Sequence, residues 1–148
     1  MSDVKTRILD IIGQPQLCGF ATITEDGKPW VRYVAAVGGP NMELRFASFI
    51  DARKVKQIAA NPEVHLTCGV NNLTEMKPYL QIQGRARLTT EADERHAFWN
   101  DMLAPIFSGP DDPKYGIIVV QPYRIEYCDP ASMGQEVWKC GGDCQCNG

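Results

Sequence analysis

The chain has 148 residues, of which 44% are hydrophobic and 22% are charged. This is the size and composition of one soluble globular domain with a core of its own. The formal net charge of −3 gives no electrostatic reason to expect nucleic acid or an anionic membrane as a partner. No apolar run reaches the roughly 18 residues of a membrane-spanning helix, and the N-terminus does not have the pattern of a signal peptide. We therefore expect a cytoplasmic protein.

Hydrophobic periodicity and turn residues predict antiparallel strands that are interrupted by single helices. The strands are predicted over residues 17–24, 29–37, 43–48, 64–70, 79–88, 117–120 and 124–128. The helices are predicted over residues 2–12, 51–60 and 90–103, and Thr90 to Asp93 resemble a capping box at the start of the third. This order favours a mainly β (α+β) fold, a small barrel with about three peripheral helices, over a doubly wound sheet.

The start of the second predicted helix suggests an anion site. Asp51 is the predicted N-cap, and Arg53 and Lys54 follow it in the first turn. A helix N-terminus carries partial positive charge and free N–H groups, so two cations are unfavourable there unless an anion is bound. Phosphate is the usual anion at such a position. The other interpretation is a solvated charged face that happens to begin with Arg-Lys.

Motifs of several other chemistries are missing from the sequence. There is no G-x-G-x-x-G after a strand, no Walker loop, no H-E-x-x-H and no G-x-S-x-G. His65 falls in a predicted strand and His96 on a predicted helix, and we interpret both as structural or surface residues. The acidic residues are scattered and offer no catalytic carboxylate pair. A cofactor site remains, in which the protein binds and orients and the cofactor supplies the chemistry.

Five segments in order carry a family resemblance: residues 19–32, 46–54, 83–88, 107–113 and 124–127. They resemble the FMN-binding split-barrel family, which contains pyridoxamine 5'-phosphate oxidase and the general stress proteins related to it. The resemblance covers residues 1–130 and implies that this part of the chain is an FMN-binding split β-barrel. Residues 131–148 then form a separate Cys/Gly-rich C-terminal tail.

The resemblance also implies which residues hold the cofactor. Four features of the family's cofactor site have counterparts here: an arginine on the second strand, two residues that line the flavin behind it, a tight strand end, and an Arg-Lys pair that holds the phosphate. These counterparts are Arg32, Tyr33, Val34, Ala47, Ser48, Arg53 and Lys54. A phosphate suits such a set because it prefers a guanidinium, an ammonium, a hydroxyl and helix N–H groups together. The resemblance further implies a homodimer with FMN at the subunit interface.

The implied activity is that of an FMN-dependent oxidoreductase on an unidentified small substrate. The alternative is a non-catalytic flavin or haem carrier, or a redox or stress sensor, and a deazaflavin in place of FMN stays open. Three positions depart from the pattern: Ala52 replaces a serine of the oxidase, Tyr79 a glutamine of the oxidase, and Cys128 an aromatic residue of the stress proteins. The chain also ends in a Cys-rich stretch instead of the arginine-bearing substrate segment of the oxidase. We therefore expect no true pyridoxamine 5'-phosphate oxidase activity.

The six cysteines fall into two groups. Cys18, Cys68 and Cys128 stand among apolar residues of predicted strands and are expected to be buried. Cys140, Cys144 and Cys146 have the spacing C-x₃-C-x-C among glycines. Three thiolates are suitable ligands for a soft metal, although a closed site usually has four. A redox dithiol and an unstructured tail with incidental thiols are the other two interpretations.

Overall fold

The computed structural model describes residues 3–141. The chain begins with helix α1 (Val4–Ile12), capped by Asp3, whose side chain accepts a hydrogen bond from the backbone N–H of Thr6. The remaining helices are α2 (Arg53–Ala60), α3 (Ala92–Phe98) and a short 3-10 helix (Asp101–Leu103). The strands are β1 (Gln16–Ile23), β2 (Pro29–Gly38), β3 (Leu44–Phe49), β4 (Glu63–Cys68), β5 (Tyr79–Thr89), β6 (Tyr115–Asp129) and β7 (Gly134–Lys139).

Six of the strands close into an antiparallel barrel. The hydrogen-bonded order is β3-β2-β1-β4-β5-β6, and β3 also pairs with β6, from Leu44 opposite Val120 to Phe49 opposite Tyr115. Strand β7 pairs with the other part of β6 and lies outside the closed ring. The predicted fold class, a mainly β split barrel with about three helices, is confirmed.

Alternation along the strands separates the barrel interior from its outer surface. Cys18, Phe20 and Thr22 of β1 are all buried, while the residues between them are at least partly exposed. Helix α1 places Ile8 and Ile12 into the same core. Gly38 belongs to this contact, because a Cβ there would lie 2.5 Å from the Cδ1 of Ile12.

The apolar run of β6 is buried on both of its faces. Ile118 and Val120 belong to the barrel core, whereas Ile117 and Val119 pack with Leu103 in a second cluster beneath α3 and the 3-10 helix. This double burial explains why residues 117–120 are continuously apolar instead of alternating.

The predicted N-cap of the second helix is wrong. Helix α2 begins at Arg53, and Ala52, with φ −64° and ψ 152°, is the N-cap without a side-chain hydrogen bond. Asp51 lies one residue earlier, in the turn that the backbone N–H of Ala52 closes by donating to the carbonyl of Phe49 at 3.2 Å. This turn uses one more residue between strand and helix than the sequence pattern suggests.

The third helix is shorter than predicted. The backbone leaves the helical conformation at Trp99, with ψ 135°, and the indole ring packs edge-on against Tyr115, 5.6 Å between ring centroids. Asn100 then caps the 3-10 helix by accepting from the backbone N–H of Met102. The predicted capping box is not formed either: Glu91 is the N-cap, and its side chain makes no capping hydrogen bond.

The two last predicted strands are one strand of 15 residues. Pro122, which lies between the two predicted strands, falls at an irregularity where the register shifts between Gln83 and Gly84. Gly84 permits the close approach of the strands, because a Cβ there would lie 2.8 Å from the carbonyl oxygen of Gln121. The sheet also continues past residue 130 into β7, for which the sequence predicted no strand.

No helix in residues 3–141 is both long and apolar enough to cross a membrane.

Candidate functional site

Three cations lie together where β2 passes the start of α2. The pKa of Arg32 is lowered below its ordinary value, mainly by burial and secondly by the positive charge of Arg53. Burial, and after it the charge of Arg32, lower the pKa of Lys54. Among the described residues, no carboxylate lies within 4.0 Å of Arg32, Arg53 or Lys54. The cluster therefore carries positive charge without a compensating side chain, at a helix start whose N–H groups also favour an anion.

Arg32 is held in place by neutral acceptors. Its Nη1 donates to Thr22 Oγ1 at 2.8 Å and to the carbonyl of Phe20 at 3.3 Å, and its Nη2 donates to Gln57 Oε1 at 3.1 Å. Thr22 Oγ1 in turn donates to Gln57 Oε1 at 2.5 Å. These bonds fix the guanidinium without neutralising it, so its charge stays available to an anionic ligand.

Arg53 is fixed differently. Its guanidinium lies 5.3 Å from the ring centroid of Trp30, in cation–π contact. Both side chains line a groove of about 620 Å³ between the first hairpin and α2.

A cavity of about 520 Å³ opens beside the cation cluster. One wall consists of strand residues, including Tyr33, Val34, Ala47 and Ser48, and Lys54 of α2 reaches the same cavity. The opposite wall comes from α3, the 3-10 helix and the loop after it, with Phe98, Asn100, Met102, Leu103 and Phe107. The cavity thus has mainly apolar walls and a cation among its lining residues.

The structure gathers most of the predicted site residues. Tyr33, Val34, Ala47, Ser48 and Lys54 line the cavity together, while Arg32 and Arg53 stand in the cluster beside Lys54 and line neighbouring grooves instead. Ser48 is buried, and its hydroxyl donates to the carbonyl of Phe49 at 3.0 Å.

Sequence reasoning missed the partners of Arg32 and the second wall. Gln57 follows Arg53 by four residues, a spacing that places both on one side of a helix and that could have suggested it. In the β1–β2 register, Thr22 lies opposite Trp30, and Phe20 lies opposite Arg32 two positions away on the same face. The proximity of Thr22 to Arg32 is therefore visible only once the strand pairing is known. The cavity wall formed by residues from Phe98 to Phe107 depends on the helix ending at Trp99, and no sequence pattern predicts it.

Of the predicted metal ligands only Cys140 lies in the described part of the chain, where its backbone N–H donates to the carbonyl of Tyr123. Cys144 and Cys146 lie outside the described residues. Within residues 3–141, no three His, Cys, Asp or Glu side chains are grouped so that they could hold a metal ion. Metal binding by the tail stays a prediction.

Comparison with known proteins gives the class to which this barrel and its site belong. Residues 4–129 match the pyridoxamine 5'-phosphate oxidase family, and the chain belongs to that family. This confirms the resemblance drawn from the five sequence segments.

Particular relatives fall in the stress-protein branch. General stress protein 26 of Bacillus subtilis (strain 168) is 26% identical over 123 residues, which span 83% of this chain and 86% of that protein. The crystal structure of general stress protein 26 from Bacillus anthracis str. Sterne has a TM-score of 0.79 at 24% identity, covering 93% of this chain and 98% of that one.

A more distant solved structure is a pyridoxamine 5'-phosphate oxidase-related, FMN binding protein from Nostoc punctiforme PCC 73102. It has a TM-score of 0.59 at 14% identity and covers 84% of this chain and 86% of that one. At these identities the structural likenesses establish the shared fold.

Proposed function

We propose that this protein binds FMN and acts as an FMN-dependent oxidoreductase on a small substrate. The observation that carries the proposal is the group of three cations, free of carboxylate partners in the described chain, beside a mainly apolar cavity. The FMN-binding description of the Nostoc protein with the same fold supports this choice of ligand.

The two kinds of surroundings fit the two ends of FMN. The phosphate would be held by Arg32, Arg53 and Lys54 and by the N–H groups at the start of α2. The ring would lie among the apolar lining residues, such as Val34, Ala47 and Leu103. A haem lacks the phosphate that this cluster suits, so FMN or a deazaflavin is the better fit.

The contribution of this chain is to bind, orient and shield. FMN, when bound, supplies the hydride or electron transfer itself. Arg32 is preorganised by Thr22 and Gln57 before any ligand arrives, which reduces the ordering cost of binding. Phe98, Leu103 and Phe107 would shield the opposite side of the cavity from water.

Binding is tested by titration of the purified protein with FMN and with riboflavin, followed by flavin fluorescence. FMN should bind at micromolar affinity or better and riboflavin much more weakly, because riboflavin lacks the phosphate. Lys54→Ala should weaken FMN by about 10- to 150-fold, the equivalent of about 1.5–3 kcal/mol for a charge-assisted hydrogen bond. The thermal midpoint of the free protein should not fall, since burial and Arg32 already disfavour the Lys54 charge.

Lys56→Ala is the matched control, because it removes the same charge from an exposed position of the same helix outside the cavity. It should leave the FMN affinity within a few-fold of the original. A protein without FMN affinity, or with equal affinity for riboflavin, would contradict the proposal. Reduction of test substrates with NAD(P)H then separates an oxidoreductase from a flavin carrier or sensor.

We further propose a cytoplasmic homodimer with FMN at the interface. Leu17, Val31 and Tyr33 are 59%, 66% and 77% exposed, and they line a groove of about 590 Å³ on the outer face of β1 and β2. Such a contiguous apolar surface is typical of a protein–protein interface. Tyr33 lines this groove and the cavity as well, so a subunit seated on the groove would reach the flavin site.

A further inference from the structure

Two buried thiols face each other across neighbouring strands of the barrel. Gly19 pairs with Thr67 and Phe20 with Leu66 between β1 and β4, and this register sets Cys18 opposite Cys68. Cys18 is fully buried and Cys68 is 4% exposed. The two thiols are within hydrogen-bonding reach of each other.

Burial alone does not explain this arrangement. Cys128 is also a buried free cysteine, but its thiol faces the side-chain oxygen of Gln81, 3.7 Å away. Cys18 and Cys68 face each other, and the Cys18 thiol also donates to the carbonyl of Gln16 at 3.6 Å. Residues directly opposite on antiparallel strands have Cα atoms about 4.5–5.5 Å apart, within the range of about 4.4–6.8 Å that a disulfide spans.

The surroundings make Cys18 the better thiolate of the two. Hydrogen bonding with Cys68 lowers the pKa of Cys18, its burial raises it, and the backbone of Ala36 lowers it further, so that the pKa falls below its ordinary value. The hydrogen bond and burial raise the pKa of Cys68. One sulfur is thus prepared to be the nucleophile and the other to remain protonated until it is needed.

The position of the pair offers access to a small molecule. Cys68 is the last residue of β4, and an exposed loop follows it in which Leu73 is 95% exposed. Strand ends open locally at lower cost than strand centres. Because both thiols are buried, an oxidant of the size of hydrogen peroxide can reach them more readily than a bulky disulfide.

We propose that Cys18 and Cys68 are a reversible redox pair, which a small peroxide converts into an intramolecular disulfide between β1 and β4. Neither thiol lines the flavin cavity and the oxidation needs no flavin, although Cys68 is among the residues that line the outer groove of β1 and β2. The crosslink would nevertheless form beside that cavity, because Cys18 also pairs with Val34 of β2, which lines it.

The chemistry balances with peroxide as the oxidant. The Cys18 thiolate attacks one peroxide oxygen, the O–O bond breaks, and the departing hydroxide takes a proton to become water. The sulfur of Cys68 then attacks the Cys18 sulfenic acid, the S–O bond breaks, and a second water leaves. Two thiols are oxidised to one disulfide while one peroxide is reduced to two waters. A dithiol reductant restores the pair by thiol–disulfide exchange.

The test is peptide mapping of the full-length protein before and after exposure to hydrogen peroxide, with remaining thiols alkylated. Trypsin separates the two cysteines, because Arg45 and Arg53 lie between them. We expect the Cys18 and Cys68 peptides to become linked, with the loss of two hydrogen atoms, in most of the protein. Dithiothreitol should return both to alkylatable thiols.

Variants decide whether the folded pairing is responsible. Cys18→Ser and Cys68→Ser should each abolish the link, whereas Cys128→Ser, which removes a buried cysteine of another strand, should leave it unchanged. Unfolding in urea before oxidation should replace the selective link by mixed pairings. Both thiols remaining free, or being oxidised separately to sulfinic acids while the protein stays folded, would overturn the proposal, as would oxidation that links Cys128 as readily as it links Cys18 with Cys68.

Discussion

Arg32 is a half-buried cation that the fold stabilises with neutral groups alone. Thr22, Gln57 and the carbonyl of Phe20 supply its acceptors, and Phe20 also lies beneath it, with the guanidinium 5.9 Å from the ring centroid. Burying a cation beside Arg53 costs free energy that these bonds offset only in part. A bound anion would remove the remaining cost, so the arrangement favours ligand binding over the stability of the free protein.

Thr22→Val tests whether this network positions Arg32. Valine has nearly the same shape but removes the hydroxyl that accepts from Arg32 and donates to Gln57. The free energy of unfolding should fall by about 1–3 kcal/mol, because buried polar groups lose their partner, and FMN should bind more weakly. Urea unfolding and FMN titration measure the two effects.

Thr89→Val is the control for this change. Its hydroxyl accepts one hydrogen bond, from the backbone N–H of Glu91 at 3.2 Å, at the end of β5, and Thr89 lines neither the cavity nor the grooves beside the cation cluster. It should leave FMN affinity unaltered. If Thr22→Val lost stability but bound FMN as tightly as the original protein, the network would be structural only.

At the scale of the element, the start of α2 lacks a cap that the sequence suggests. Ala52 occupies the N-cap position with extended dihedral angles, and Asp51 stands one residue too early to bond the helix N–H groups. The free N–H groups are left for a ligand, which is the role that the phosphate would take. A missing cap and an uncompensated cation pair thus have one common explanation.

Ala52→Ser should supply the missing cap. A serine at this position can accept from the N–H groups of the first turn and should raise the free energy of unfolding by about 0.5–2 kcal/mol. Asp51→Ala, which removes the carboxylate that the sequence favoured as the cap, should change it by less than about 0.5 kcal/mol. Thermal and urea unfolding of the free protein measure both. A large loss in Asp51→Ala with no gain in Ala52→Ser would reverse the assignment.

The sequence predicts elements well where one local pattern decides them. The first five strands follow from alternation and from turns such as Asp26-Gly27, and their observed bounds differ from the predicted ones by a residue or two. The prediction fails where tertiary contacts override the local signal. In the sequence Pro122 indicates the end of a strand, but in the structure the register shift at Gly84 accommodates it within one strand. The third helix ends after Phe98 because Trp99 packs on Tyr115.

The candidate site shows the same division. Arg53 and Lys54 are conspicuous in sequence because they conflict with the helix dipole, and Tyr33, Val34, Ala47 and Ser48 came from family resemblance. These residues share one cavity because of the order of the strands in the barrel. That order includes the pairing of β3 with β6, which exists only because the barrel closes. The wall around Leu103 requires the second core cluster, which no single segment encodes.

At the scale of the whole molecule, the exposed apolar groove on β1 and β2 contrasts with the well-filled barrel interior. The side chains of Phe20, Leu66 and Ile118 leave no room inside for a flavin ring, so a ligand of that size must bind on the outside. A surface cavity is completed most simply by a second subunit, and a twofold dimer would give two equal sites.

Val31→Asp tests this dimer. Val31 is 66% exposed, lines the apolar groove and is not part of the flavin cavity. Light scattering of the original protein should give twice the 16.5 kDa mass of the chain at micromolar concentration. Val31→Asp should give the monomer mass, because a carboxylate buried without a partner at an interface carries a large desolvation cost.

Val137→Asp provides the control, since it makes the same substitution at a 41% exposed valine on β7, the strand outside the closed ring, which does not line the groove. It should remain a dimer. Because the flavin site is proposed at the interface, the monomeric Val31→Asp protein should also bind FMN more weakly, and raising its concentration should recover both dimer and affinity together. An original protein that is monomeric with FMN bound would rule out the interface site, and a Val31→Asp monomer with full FMN affinity would place the flavin within one subunit.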